Sequence, residues 1–273
     1  MEIKDSHLLE GDGITHLNCS KNKIKFTPGD LDTIVIHYTA GSSAASSANY
    51  LCKKDLRASA HLVIGREGEI YQLVPFDTIA WHAGISAYAG RRGLNKYSIG
   101  IELDNAGELK KTGSEYQSSF NRRYQENDVV TAPHRNDVTQ KNRYWHSYTE
   151  KQVEKCREVC EMLIAKYKIN TIVGHEEIAP GRKLDPGPAF ALDKFRNDLL
   201  TQNRSDEIDT VNKTGEVVAS SLNIREDAGV TFKKVAMPLL NGKKVKIMEE
   251  RDGWYRVETT IEGWVSKGHI KVD

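Results

Sequence analysis

The chain has 273 residues, enough for one large domain or two of ordinary size, and its 38% hydrophobic content fits a soluble globular protein. Lys plus Arg number 39 against 38 Asp plus Glu, a formal net charge of +1, which lacks the basic excess that a nucleic-acid partner usually leaves. No apolar run approaches the ~20 residues of a membrane span, and the charged stretch Met1 to Leu9 has no apolar core of the kind a Sec leader carries.

The first clear strand is Thr33 to His37 (TIVIH), apolar and β-branched. A helix is predicted from Ser43 to Asp55. Strands follow at His61 to Ile64 and Glu69 to Val74, with Arg66-Glu67-Gly68 between them as a hairpin turn. Tyr97 to Leu103 is a further strand. Residues 107–146 are polar and charged with little apolar periodicity. They read as a long inserted loop beside the site, a lid or a surface loop without a role.

From Thr149 to Tyr167, Val153, Cys156, Val159, Cys160, Leu163 and Ile164 recur at helical spacing, and Thr149 with Gln152 has the spacing of a capping box. Ile172 to Gly174 is a short strand, and a last helix is expected within 188–200. Strands mixed with helices predict an α/β layer architecture over residues 1–201, a mixed central β-sheet flanked by helices. Residues 202–213 are polar and without aromatics, as a linker is. Residues 214–273 carry short strand-like runs at Val217-Val218-Ala219, Lys244 to Met248, Trp254 to Glu258 and Gly263 to Ser266, which predict a small all-β barrel. The four cysteines, Cys19, Cys52, Cys156 and Cys160, form no C-x-x-C pair; they are expected to be free structural thiols in a reducing compartment.

Chemistry-bearing residues cluster at strand ends. In a strand, side chains alternate, so Thr33, Val35 and His37 share one face and Ile34 and Ile36 the other. His37 stands at the carboxyl end, where functional residues of α/β sheets often lie. Val173-Gly174-His175 repeats the arrangement. Asp185 follows in Pro180-Gly181-Arg182-Lys183-Leu184-Asp185-Pro186-Gly187, a stretch too rich in Pro and Gly for a regular helix; in extended chain Lys183 and Asp185 point to the same side. Two imidazoles and one carboxylate make a catalytic zinc set with a fourth position open to water. In Ile99-Gly100-Ile101-Glu102-Leu103 the carboxylate of Glu102 faces away from the apolar positions, and burying it without a purpose is costly.

Together these residues resemble the amidase-2 family of N-acetylmuramoyl-L-alanine amidases, related to bacteriophage T7 lysozyme and peptidoglycan recognition proteins, and most of all its AmpD type. The matching segments are Ile34 to Ala40 (IVIHYTA), Ser59 to Pro75 (SAHLVIGREGEIYQLVP), Trp81 to Ser86 (WHAGIS), Ser98 to Leu103 (SIGIEL) and Gly174 to Gly187 (GHEEIAPGRKLDPG). The resemblance implies one zinc ion held by His37, His175 and Asp185, with Glu102 as the catalytic carboxylate and Lys183 as the catalytic lysine. It implies that Arg182 binds an acidic group of the stem peptide and that His61, Trp81 and His82 line the substrate groove. Where some members carry a catalytic tyrosine, this chain has Ala60, which leaves Glu102 as the base.

The implied reaction is hydrolysis of the amide between the lactyl group of N-acetylmuramic acid and L-alanine, with peptidoglycan or muropeptides as partners. The C-terminal region resembles a bacterial SH3 domain through Ser221-Leu222-Asn223-Ile224-Arg225, Gly253-Trp254-Tyr255-Arg256-Val257 and Gly263-Trp264-Val265, which implies cell-wall binding. Trp254 and Trp264 serve equally well as core fillers of a small barrel. The competing class is a non-catalytic peptidoglycan-binding protein of the same superfamily, but here all three ligand positions and both catalytic positions are filled. Structural zinc usually takes four protein ligands, often Cys, a set not found here. Without a Sec leader, synthesis in the cytoplasm is expected, with action on the wall after lysis or dedicated secretion.

Overall fold

A computed structural model describes residues 1–201, 213–219, 221–229, 232–251 and 254–260. The chain divides into two compact units, Met1–Ser205 and Asp206–Asp273. No described helix is long and apolar enough to cross a membrane.

In the first unit the elements of the central layer are β1 (Ile14–His16), β2 (Thr33–Tyr38), α1 (Ala44–Leu51), β3 (Leu62–Ile64), β4 (Ile70–Gln72) and β5 (Ser98–Leu103). A second set follows as β6 (Glu108–Thr112), β7 (Glu115–Gln117), β8 (Arg123–Tyr124), β9 (Val129–Pro133) and β10 (Asn142–His146). The chain then returns through α2 (Glu150–Tyr167), β11 (Thr171–Gly174), α3 (His175–Ile178) and α4 (Leu192–Thr201).

The central sheet has six strands in the order β11-β2-β5-β3-β4-β1. Only β3 and β4 pair antiparallel, through the expected hairpin; the other neighbours run parallel. The sheet is therefore mixed, with helices packed on it, as the alternation of strands and helices predicts. β1 went unpredicted, because three residues are too few to show a period.

Alternation along β2 and β5 sorts the two faces. Ile34, Ile36, Ile99, Ile101 and Leu103 are buried against Cys156, Val159, Cys160 and Leu163 of α2 and Phe195 and Leu199 of α4. Each such aliphatic side chain contributes roughly 1.5–3 kcal/mol on burial. Val35 and Val173, on the opposite face, pack with Ala83, Leu94 and Ile178. Thr149 caps α2 by accepting from the Gln152 amide at 3.1 Å. The Gln152 side chain does not close the box. It is fully buried and donates to Ile64 O at 2.9 Å and Asp104 O at 3.1 Å, tying the helix to the ends of β3 and β5.

Two expectations are corrected. Residues 107–146 are not a loop: β6 to β10 form a five-stranded antiparallel sheet in the order β8-β7-β6-β10-β9. Ala106, Leu109, Tyr116 and Tyr124 give it a small core of its own, and Trp145 is 1% exposed. Each strand contributes at most two buried side chains and β9 none, too few for a period of two to register in the sequence.

The second correction concerns the cysteines. Cys19 and Cys52 form a disulfide, while Cys156 and Cys160 are free and buried. Beside the disulfide, the three N–H groups of the Lys21 ammonium are shared among four carbonyls, of Leu51 at 2.7 Å, Lys53 at 2.9 Å, Leu56 at 2.9 Å and Ala58 at 2.7 Å. The segment around residue 20 is thereby fastened to the end of α1, a contact that sequence spacing does not reveal. A disulfide is unusual in a reducing compartment, so that part of the expectation loses its basis.

In the second unit β12 (Lys213–Glu216), β13 (Lys244–Arg251) and β14 (Trp254–Glu258) form an antiparallel sheet in that order, and Ser221–Leu222 pairs with Leu239–Leu240. The strand expected at 217–219 instead ends at Glu216, with Val217 buried just beyond it. Residues 202–212 of the expected linker lie outside the described residues, as does the run 263–266 with Trp264.

Replacing Cys19 and Cys52 by Ser should cost about 3–4 kcal/mol of stability, the entropy of closing a loop of separation 33. Urea unfolding of the double variant against the oxidised protein measures this; an unchanged midpoint would refute it.

Candidate active site

Parallel pairing of β2 with β5 sets His37 directly beside Glu102, its register partner, and pairing with β11 brings Gly174 beside Ile36. His175 begins α3 immediately after β11. Two histidines thus arrive at the carboxyl ends of adjacent strands. The chain then turns through 179–184 and delivers Asp185, whose carbonyl accepts from the Glu176 amide at 2.8 Å.

The three side chains converge on one point. His37 Nδ1 lies 2.9 Å from His175 Nδ1, and each lies 2.9 Å from Asp185 Oδ2. All three residues are buried, and they form the one group of potential metal ligands among the described residues.

Neighbouring groups fix what those atoms present. Ser98 O can only accept, so His82 Nε2, at 3.2 Å, carries a proton toward it. A neutral His82 then accepts at Nδ1, and His37 Nε2, at 3.0 Å, must donate to it. That leaves a lone pair on His37 Nδ1. His175 Nε2 donates to Ala83 O at 3.2 Å, so a neutral His175 likewise presents a lone pair at Nδ1.

The electrostatics agree. Burial, and after it His175, pushes His37 down to about 4; burial, and after it His37, holds His82 well below its ordinary value. Against the upward push of burial, the contacts with His175 and His37 hold the Asp185 carboxyl well below the usual range. Two imidazole lone pairs and a carboxylate oxygen at mutual contact repel one another unless a cation lies among them. The donor set of nitrogen and oxygen, with each imidazole oriented by a hydrogen bond from its other nitrogen, suits zinc with an open fourth position.

Glu102 is half-buried, and its buried Oε2 has no hydrogen-bond partner among the described residues. Burial, reinforced by Asp185, raises its carboxyl well above the ordinary value, and Lys183 pulls the other way. Lys183, half-buried, also lowers His37, so its charge reaches both sides of the site. Arg182 is exposed and donates from Nη2 to Ala83 O at 3.0 Å and Ile85 O at 2.7 Å. Trp81 is half-buried, its amide donating to Ser59 Oγ at 2.8 Å.

His61 departs from the expectation that it lines the groove. It is 0% exposed, its Nε2 donates to Thr78 O at 2.9 Å, its Nδ1 accepts from the Gly100 amide at 3.0 Å, and Phe26 and Phe76 stack on it. Apolar neighbours and two backbone partners make it an interior residue below His82. His82 itself supports His37. The carbonyls of Ser98 and Ala83 complete the support; sequence reasoning missed them, because backbone carbonyls leave no trace in residue types.

Residues 27–188 match the family model described as N-acetylmuramoyl-L-alanine amidase. The chain belongs to that family. Residues 220–271 match the model of the bacterial SH3 domain. Among similar amidases is the 1,6-anhydro-N-acetylmuramyl-L-alanine amidase AmpD of Citrobacter freundii, 38% identical over 143 residues, which are 52% of this chain and 57% of that protein. Another is the N-acetylmuramoyl-L-alanine amidase AmiD of Escherichia coli K12, 33% identical over 169 residues, 59% of this chain and 50% of that one. The chain thus spans between half and three-fifths of the length of these amidases. A solved complex of E. coli AmiD with anhydro-N-acetylmuramic acid-L-Ala-D-gamma-Glu-L-Lys is 31% identical, with a TM-score of 0.47, covering 62% of this chain and 57% of that one.

Within this family member, Gly100 carries a specific steric duty. A Cβ there would sit 2.3 Å from His82 Cγ. Gly100→Ala should displace the His82 ring and cost about 1–3 kcal/mol, read as a lowered melting temperature. A variant that melts as the native chain does would overturn this.

Proposed function

We propose that this chain is a zinc-dependent N-acetylmuramoyl-L-alanine amidase, hydrolysing the amide that joins the lactyl group of N-acetylmuramic acid to L-alanine of the stem peptide. The observation that carries the reading is the set of three acceptors, His37 Nδ1, His175 Nδ1 and Asp185 Oδ2, held in mutual contact, with Glu102 and Lys183 beside it. The names of the similar amidases support the same bond.

His37, His175 and Asp185 would hold a zinc ion, which when bound would supply Lewis acidity and make an attacking water more acidic. Glu102 takes a proton from the attacking water and passes it to the departing L-alanine amine. Its unpartnered Oε2 and raised pKa suit a group that must hold a proton and then give it up. Lys183 places positive charge where the carbonyl oxygen becomes negative, a role worth roughly 3–4 kcal/mol per donor. Arg182, held on Ala83 O, is the exposed cation suited to an acidic group on the stem peptide.

The SH3-like unit is inferred to hold the wall, which would keep the catalytic unit near a polymeric substrate. The Cys19–Cys52 disulfide favours action outside the reducing cytoplasm.

Glu102→Gln should lower kcat by about 10²–10⁴ while zinc stays bound; near-native turnover would remove Glu102 as the base. His175→Ala should lose both zinc and turnover, measured by metal analysis and by digestion of soluble anhydro-muropeptide. Digests of purified sacculi and of soluble muropeptide, read by mass spectrometry, should release intact peptide beginning with L-alanine. Cleavage within the peptide, or binding without cleavage, would sink the amidase reading.

A further inference from the structure

The sheet of residues 107–146 meets the site at two ligand-bearing segments. Past β9 the chain folds over α3. His134 there is 1% exposed. Its Nε2 lies 2.6 Å from Glu176 Oε2 and 3.2 Å from Leu184 O, while its Nδ1 accepts from the Asn136 amide at 3.2 Å. The residues flanking those two acceptors are His175 and Asp185. One N–H therefore spans the helix that carries one metal ligand and the segment that carries another.

The surroundings leave Glu176 no freedom. It is 2% exposed, its other oxygen lies 3.1 Å from Arg135 Nε, and its carbonyl accepts from Asn136 Nδ2 at 2.8 Å. Leaving such a carboxyl buried without partners would be costly. The Asp185 side is held as well. Trp145 of β10 covers Gly187 so closely that a Cβ there would lie 3.0 Å from its ring, and the Tyr148 hydroxyl donates to Pro186 O at 2.8 Å. Nothing in this arrangement is that of a mobile lid.

We propose that His134 is a positioning residue, whose Nε2–H clamps α3 to the 184–187 segment and so sets the spacing of His175 and Asp185 without touching substrate. The proposal rests on the zinc reading above. The 107–146 sheet is on this view a brace for the ligand set. Groups that orient ligands from behind commonly govern affinity by about 10–100-fold.

Two substitutions separate this role from general packing. His134→Asn keeps an acceptor for the Asn136 amide but is too short to reach Glu176. His134→Gln keeps a donor at the reach of Nε2. In the full chain, zinc affinity by chelator competition should fall about 10–100-fold in the Asn variant and stay close to native in the Gln variant. For the same substrate, kcat should fall in His134→Asn with KM unchanged. Amide hydrogen exchange of the metal-free protein supplies an independent arm: residues 174–187 should exchange faster in the Asn variant while β2 and β5 keep their protection. Native affinity and exchange in both folded variants would overturn the proposal, as would equal losses in both. If the native chain binds no zinc, the zinc reading fails, and the exchange arm still decides whether His134 clamps the two segments.

Discussion

Three electron-rich atoms held at contact define this molecule. Left to themselves, two imidazole lone pairs and a carboxylate separate or take up protons. Here burial opposes protonation of the His37 ring, and hydrogen bonds from behind prevent its rotation. The frame therefore works against the mutual repulsion of the triad, and a cation among the three atoms would convert that repulsion into binding energy. The rest of the first unit can be read as the means of keeping His37, His175 and Asp185 together.

The sheet provides the first means. Parallel pairing of β11, β2 and β5 aligns carboxyl ends, so His37, Glu102 and the start of α3 emerge side by side. Alternation puts Ile34, Ile36, Ile99 and Ile101 into the core under α2 and α4 and leaves the opposite face for chemistry. Gly100 is the small residue on that face because the His82 ring occupies the space of its Cβ. A one-residue slip of β5 would exchange Glu102 for an aliphatic side chain, so the apolar core that stabilises the sheet also fixes the register of the site.

The added sheet of residues 107–146 provides the second means. It buries Trp145 and satisfies Glu176, which stands beside His175 and cannot reach water. The disulfide with Lys21 fastens the segment around residue 20 to the end of α1, closing a loop that contains His37. The two devices differ in kind. One is a covalent link limiting the unfolded chain; the other is a set of hydrogen bonds that matter only once β9, α3 and the 184–187 segment have come together.

By itself the sequence determined the alternating strands of the central sheet, the helix at 150–167 and the candidate ligands His37, His175 and Asp185. These are properties of short segments: side chains alternate with a period of two in a strand and about 3.6 in a helix, and the groups of the triad and Glu102 stand in compact motifs. Only the tertiary structure decided that Cys19 meets Cys52, that residues 107–146 pair into a sheet, that His61 is an interior residue, and that His82 orients His37. Each of these depends on a contact between distant segments or on a backbone carbonyl, and neither is encoded in the type or spacing of neighbouring residues. The same reason separates the triad from its geometry: His37, His175 and Asp185 are legible as letters, but which nitrogen faces the other two residues is set by Ser98 O and Ala83 O, which the fold alone brings into place.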